Sequence, residues 1–342
     1  MSRIALLLLA LHAAASGQDL RIGVFGLFHP SELILRAAPG GVLRVNVAGA
    51  VWNLEGSRTA RLRVGRSGVL CTVADRAASA AVVRVSGARR RTEFFLSVPG
   101  KIERRFAASL EVRVRDGELV PIVITDLETA VESAVAAESV PGAPLEALKA
   151  QAIATRSFYL ASPARHPDFQ FCDTTHCQFL REPPEPGGAA GIAASETKGL
   201  VLLHAGAVLP ALFSASCGGR TRTLAEAGMA AGGYPYYPVE CPPCRTSAPD
   251  WENSLPASYS TLIEDRSEAH RIELGRLLGW KAVPGYNYQV RREGDHIIVH
   301  GRGEGHGVGL CQRGASAMAA SGANHRAILN YYYPNTAIGF RE

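Results

Sequence analysis

The sequence predicts an α+β fold, with mixed strands around a helical pair and a β-rich segment at its N-terminal end. Three observations predict it. Up to about residue 124 the chain runs in short alternating stretches broken by glycine. Over 125–161 the apolar period becomes helical, and from about residue 200 strand-like runs return.

The elements follow in order. Residues 1–17 combine Arg3, an apolar run from Ile4 to Leu11 and small residues at Ala13, Ala15 and Gly17. That is the pattern of a secretory signal peptide, and the run is far below the ~20 residues a spanning helix needs. The mature protein is therefore expected outside the cytoplasm, in the periplasm, cell wall or medium. Residues 18–90 read as a β-rich segment, with LRVNVAGAV at 43–51 and AVVRVSG at 81–87. The basic run Arg89-Arg90-Arg91 closes it and sets a division from a second domain over 91–340. In LEVRVRDGELVPIVI at 110–124, Asp116-Gly117 between alternating runs predicts a hairpin.

The period then changes. Thr125-Asp126-Leu127-Glu128 has capping-box form, and Leu127, Val131, Ala134 and Val135 share a helical face. A second helix opens at Pro144, with Glu146 in its first turn, and continues as LEALKAQAIATRSFYLA at 145–161. Rich in alanine, it is expected to be core scaffolding. The linker REPPEPGG at 181–188, the run LVLLHAGAVLPALFSA at 200–215, a hairpin-like pair at 288–301 and a helical region ending at Pro334 complete the chain.

Composition limits the function classes. With 47% hydrophobic and 20% charged residues among 342, the chain can bury a core. A formal charge of +5 suits an anionic partner, but no basic stripe points to nucleic acid. Seven cysteines in an exported chain make disulfides the ordinary expectation, yet an odd count leaves at least one thiol unpaired or metal-bound.

Four groups of residues carry possible chemistry. Glu138 stands eleven residues after Leu127, about three turns at ~3.6 residues per turn, so it continues the apolar face. Apolar surroundings and the helix C-terminus both raise a carboxyl pKa, as a general acid requires. A surface glutamate at a fraying end is the alternative. His166, Cys172, His176 and Cys177 supply two imidazoles and two thiols within twelve residues, a set for a closed structural zinc site. A Cys172–Cys177 disulfide is the alternative there. GRGEGHGVGLCQRGA at 301–315 has too many glycines for an ordinary strand, and could present His306 and Gln312 to a polar ligand. Cys217, Cys241, Cys244 and Cys311 could form two disulfides or bind a second zinc, and Cys71 reads as a lone buried thiol.

The motifs ESVPGAPLEALKAQAIATRSFYL at 138–160, CDTTHCQF at 172–179, SETKGLVLLHAG at 195–206, FSASCGGRT at 213–221 and GRGEGHGVGLCQRGASAMA at 301–319, followed by AILNYYYPNT, stand in one order. Over roughly 92–338 they resemble the SpoIID/LytB family, known from stage II sporulation protein D and the amidase enhancer LytB. The resemblance implies a lytic transglycosylase acting on peptidoglycan glycan strands, commonly strands already stripped of stem peptides by an amidase. It implies Glu138 as the catalytic residue and zinc at His166, Cys172, His176 and Cys177. It also implies a substrate groove near His306 and Gln312, with Arg156 expected as a further substrate contact. Two departures stand out: Ser139-Val140-Pro141 replaces the family's usual Met-Pro after the glutamate, and the segment before about residue 90 has no clear counterpart. The rival readings are a non-catalytic wall-binding module that stimulates an amidase, and a zinc hydrolase.

Overall fold

The computed structural model describes residues 19–89, 91–185, 187–230 and 232–341; the expected signal peptide lies outside the described residues. The alternating runs form β1 (Asp19–Gly23), β2 (Glu32–Ala37), β3 (Val42–Val47), β4 (Ala50–Glu55), β5 (Thr59–Gly65), β6 (Gly68–Val73), β7 (Arg76–Ala80), β8 (Val82–Gly87), β9 (Glu93–Val98), β10 (Ile102–Ala107), β11 (Ser109–Arg115) and β12 (Glu118–Asp126). These make two sheets, one ordered β10-β9-β2-β5-β6-β7 and the other β1-β12-β11-β8-β3-β4. Period two decides which side chains meet between them. In β3, Leu43, Val45 and Val47 are fully buried while Val42, Arg44 and Asn46 face out. Leu33, Leu35, Leu62, Phe94 and Leu96 from the other sheet join the same core, each worth ~1.5–3 kcal/mol when fully buried. Cys71 lies in this core as expected, with its thiol pushed up to about 11 by burial.

The β11–β12 hairpin turns on Asp116 and Gly117, at φ 51° and 80°, with Arg115 paired to Glu118. Positive φ at both central residues is the type I′ turn that the Asp-Gly pair predicted. The expected division at residue 90 needs correction. Strands β9, β11 and β12 each pair with a strand from before it, so the sandwich crosses the expected division and ends at β12.

Helix α1 (Leu127–Glu138) follows directly. Its cap is Asp126, not Thr125: Asp126 Oδ1 accepts the Thr129 N–H at 3.1 Å, while Thr125 belongs to β12 and its hydroxyl donates to the Ala107 carbonyl. The capping box predicted there does not form, because Glu128 turns to Arg156 instead. Helix α2 (Leu145–Ala161) is buried on almost every side. Leu148, Ala152, Phe158 and Tyr159 join the sandwich core, while Ala147, Ala150, Ile153 and Ala154 join a second core.

Short strand β13 (Phe171–Cys172) adds in parallel to β1. Then come α3 (Ala189–Glu196), β14 (Leu200–His204), β15 (Ala207–Val208), β16 (Phe213–Ser214) and α4 (Pro242–Ser247). A small unit follows: β17 (Asp250–Pro256), α5 (Ser260–Glu264), α6 (Glu268–Leu278), β18 (Tyr288–Glu293) and β19 (His296–Arg302), closed on Leu255, Ile263, Leu274, Ile297 and Val299. The chain ends with β20 (Leu310–Cys311), α7 (Gln312–Ala320), α8 (His325–Tyr332) and β21 (Ala337–Phe340). Strand β20 lies parallel to β16, and β21 pairs with β14. Helices α7 and α8 pack on α2, so α2 is the shared wall of two cores.

Candidate active site and metal cluster

Glu138 is the last residue of α1, and the helix end places it on the wall of a cavity of about 310 Å3. Three parts of the chain line this cavity: the end of α1 with the loop 175–179, residues 212–215 with 305–312, and the α6 unit through Arg271, Trp280 and Tyr286. Among the described residues lining it, Glu138 is the one carboxylate. Burial pushes its pKa up to about 7, against the Phe179 N–H, which donates to Oε1 at 2.6 Å, and the nearby positive charge of Arg181. A group poised there holds a proton half the time near neutrality and can give or take one.

The last carbonyls of a helix lack partners, and at α1 this is met by a side chain. Gln312 Nε2 donates to the Glu138 carbonyl at 2.8 Å. Gln312 therefore lines the cavity with its amide nitrogen already engaged, holding Glu138 in place. The departure Ser139-Val140-Pro141 forms a clean exit. The Ser139 N–H donates to the Val135 carbonyl, and a turn closes from Val140 to Ala143 with Gly142 at φ 73°. Glu138 stays aimed at the cavity.

His306 lines the same cavity, with Nδ1 accepting the Val308 N–H at 3.0 Å, which leaves the proton on Nε2 of the neutral ring. Arg156 does not reach it. Its side chain is fully buried in α2, bonded to Glu128 at 2.7 and 2.8 Å and to the carbonyls of Leu200 and Ala194. The expected substrate contact is corrected to a structural ion pair: four hydrogen bonds inside the core and a fully buried side chain leave nothing to reach a ligand.

Sequence reading missed the opposite wall. Arg271 is 5% exposed, stacks on Tyr286 at 4.2 Å and Tyr288 at 4.4 Å, and gives one bond to the Gly285 carbonyl. Among the described residues, its Nε and Nη2 have no hydrogen-bond partner, and neither do Gln178 Oε1 and Ser214 Oγ on the same cavity. Burial lowers the arginine's pKa, with Arg266 and Arg222 adding to the effect. A buried cation without a counter-ion is costly, and an incoming anion would offset that cost. The aromatic-rich GWKAVPGY stretch at 279–286 was the available signal, but nothing local ties it to Glu138.

The loop beside Glu138 carries the second feature. Cys172 sits on β13, and a turn in which Thr174 accepts the Cys177 N–H brings His176 and Cys177 back over it. The ligand atoms of His166, Cys172, His176 and Cys177 all lie within 4.8 Å of one another and could hold a metal ion. Cys172 Sγ is 3.7 Å from His176 Nδ1, and Cys177 Sγ is 3.6 Å from His166 Nε2 and 3.7 Å from His176 Nδ1. His166 is stacked on Phe169 at 4.5 Å, which fixes its ring. Cys177 also lines the Glu138 cavity, and Phe179, two residues on, supplies the N–H that Glu138 accepts.

Fold and site together define an α+β protein with a one-carboxylate cleft braced by a Cys/His cluster able to hold a metal. Residues 115–204 match the model of the Stage II sporulation protein family, SpoIID. The stage II sporulation protein D of Bacillus subtilis is 46% identical over 52 residues, 15% of each chain. The amidase enhancer of the same organism is 33% identical over 66 residues, 19% of this chain and 9% of that one. An uncharacterized protein of Brachyspira hyodysenteriae is 29% identical over 248 residues, 62% of this chain and 67% of its own. These matches make the chain similar to the SpoIID family, the family model covering about a quarter of its length. The matches to the two Bacillus proteins span under a fifth of either relative.

Proposed function

We propose that this protein is an exported peptidoglycan lytic transglycosylase acting on glycan strands stripped of stem peptides. Glu138 is the general acid and base, and the His166, Cys172, His176 and Cys177 cluster holds a structural zinc. The observation that carries the reading is a single carboxyl with a pKa raised to about 7 in a cavity that contains no second one among its described lining residues. Hydrolysis at a sugar ordinarily takes two carboxylates, one as acid and one as base or nucleophile. A transglycosylase needs one. Glu138 gives its proton to the glycosidic oxygen as the C1–O bond breaks. The resulting carboxylate then takes the proton of the muramic acid C6 hydroxyl as that oxygen bonds to C1. The products are a 1,6-anhydro end and a free hydroxyl end, and no water is consumed.

The rest of the cavity supports this substrate. Trp280 and Tyr286 offer faces for sugar rings, and Gln178 and Ser214 add polar side chains to the cavity wall. Removing the stem peptide frees the lactyl carboxylate of muramic acid. We assign its recognition to the positive charge of Arg271 on the cavity wall.

The Cys/His cluster fits zinc. Metal–sulfur bonds of ~2.3 Å and metal–nitrogen bonds of ~2.0 Å place tetrahedral ligands roughly 3.3–3.8 Å apart. The contacts of 3.6 and 3.7 Å fall in that range. With all four positions filled by the chain, the ion would order the loop carrying Phe179 and supply no activated water. This weighs against a zinc hydrolase.

A second reading, a non-catalytic module that stimulates a cell-wall amidase, draws on the printed name of one Bacillus relative. One experiment separates the two. Purified protein is incubated with denuded strands and the products are read by mass spectrometry. Release of 1,6-anhydro sugars that Glu138→Gln lowers by ~10²-fold or more is expected. Equal release from the variant would remove Glu138 from the chemistry. No release from either, with amidase stimulation intact in both, would favour the second reading.

A further inference from the structure

A second convergence of sulfur lies in the other core, away from the loop beside Glu138. Cys217 follows β16, Cys241 and Cys244 bracket the start of α4, and Cys311 ends β20 and caps α7. All four are buried, and their Sγ atoms lie within 4.8 Å of one another. The sequence left two disulfides and a metal open for this group. The geometry favours the metal. Two disulfides would sort the sulfurs into two couples at ~2.05 Å, whereas here all four thiols are free and point at one place.

Three details support that convergence. Cys311 Sγ lies 3.4 Å from Cys244 Sγ and accepts the N–H groups of both Cys217 and Gly314 at 3.4 Å. Two N–H donors on one sulfur are the outer partners that stabilise a bound thiolate. The turn Cys241-Pro242-Pro243-Cys244, closed by the Cys244 N–H on the Cys241 carbonyl at 2.9 Å, brings two sulfurs to the same side in C-x2-C spacing. Gly314 keeps the space open, since a Cβ there would strike both Cys241 Sγ and the Tyr332 hydroxyl.

We propose that Cys217, Cys241, Cys244 and Cys311 form an all-thiolate structural zinc site. Four soft ligands select zinc over magnesium or calcium, and a filled tetrahedron leaves no open position for chemistry. Its place gives it a purpose. It ties three segments, around residues 217, 241–244 and 311, that are otherwise joined by the short β16–β20 pair and the isolated Arg220–Glu240 bridge. Cys311 directly precedes Gln312, which caps the Glu138 carbonyl, so the site braces the cavity floor. The proposal does not depend on any catalytic reading.

The test is metal and thiol counting on full-length protein prepared through an oxidising compartment without added reductant. Elemental analysis is expected to find one zinc that Cys244→Ser removes and Cys172→Ser leaves in place. Alkylation of wild-type protein, unfolded with chelator, is expected to label all four of these cysteines, a readout that needs no folded variant. Cobalt exchange adds a third measurement. A site with four thiolates gives about twice the sulfur-to-metal charge-transfer absorbance of a site with two, in the band that Cys172→Ser spares. Recovery of the four as disulfide-linked peptides, or zinc content unchanged by Cys244→Ser, would overturn the proposal. Iron in place of zinc at this site would overturn the choice of metal.

Discussion

Replacing Glu138 by glutamine should stabilise the protein at high pH and do almost nothing at low pH. The folded carboxyl titrates near 7 and an ordinary glutamate near 4.5, with desolvation as the leading cause. A carboxyl whose folded pKa is raised contributes its stability below about 4.5 and loses it as pH climbs through about 7. At ~1.4 kcal/mol per unit, the ionised form costs the fold on the order of 3 kcal/mol by pH 8.5. Glutamine matches the neutral acid in shape and keeps an oxygen for the Phe179 N–H, so it escapes that cost. Denaturant unfolding of both proteins at pH 5, 7 and 8.5 reads the difference. All other titrating groups are common to the pair and largely cancel. A stability gap that opens by roughly 2–3 kcal/mol between pH 5 and 8.5 is expected. A gap constant across that range would refute the raised pKa, and with it the argument for a proton-loaded acid.

Other outcomes follow from the same geometry. Activity on denuded strands should decline as pH rises through about 7, where Glu138 loses its proton; an undiminished rate at pH 9 would contradict the assignment. Arg271→Met should raise KM about 10- to 100-fold on denuded strands, from the ~1.5–3 kcal/mol of a charged hydrogen bond, and little on strands whose lactyl carboxylates have been amidated. Equal losses on both would count against carboxylate recognition. Arg156→Met should destabilise the fold by ~3–5 kcal/mol, since Glu128 would be left without its partner, while KM of the folded protein stays put. Chelation, or Cys172→Ser, should unfold the 166–179 loop and abolish activity together; lost activity with unchanged proteolytic resistance of that loop would point to a catalytic metal instead.

Local pattern carried much of this fold. Alternation marked the strands, Asp116-Gly117 marked the hairpin, and counting turns from Leu127 put Glu138 on the buried face. The Cys/His cluster was readable because its four members fall within twelve residues. What escaped notice depends on contacts distant in sequence. Arg156 looked like a polar residue available to ligand, and only the approach of Glu128 and the carbonyls at 194 and 200 shows where its charge is spent. Strands β9 to β12 read like a fresh start after the basic run, because pairing across it leaves no trace in composition. Arg271 and Trp280 belong to a unit that folds on its own small core, and they meet Glu138 through tertiary packing alone.

Since α2 forms a face of both cores, neither half has a complete interior without it. Loss of the sandwich would bare one flank of that rod, and loss of the C-terminal half would bare the other. Melting is thus expected as one concerted event, and fragments severed on either side of the rod should not hold their shape in isolation.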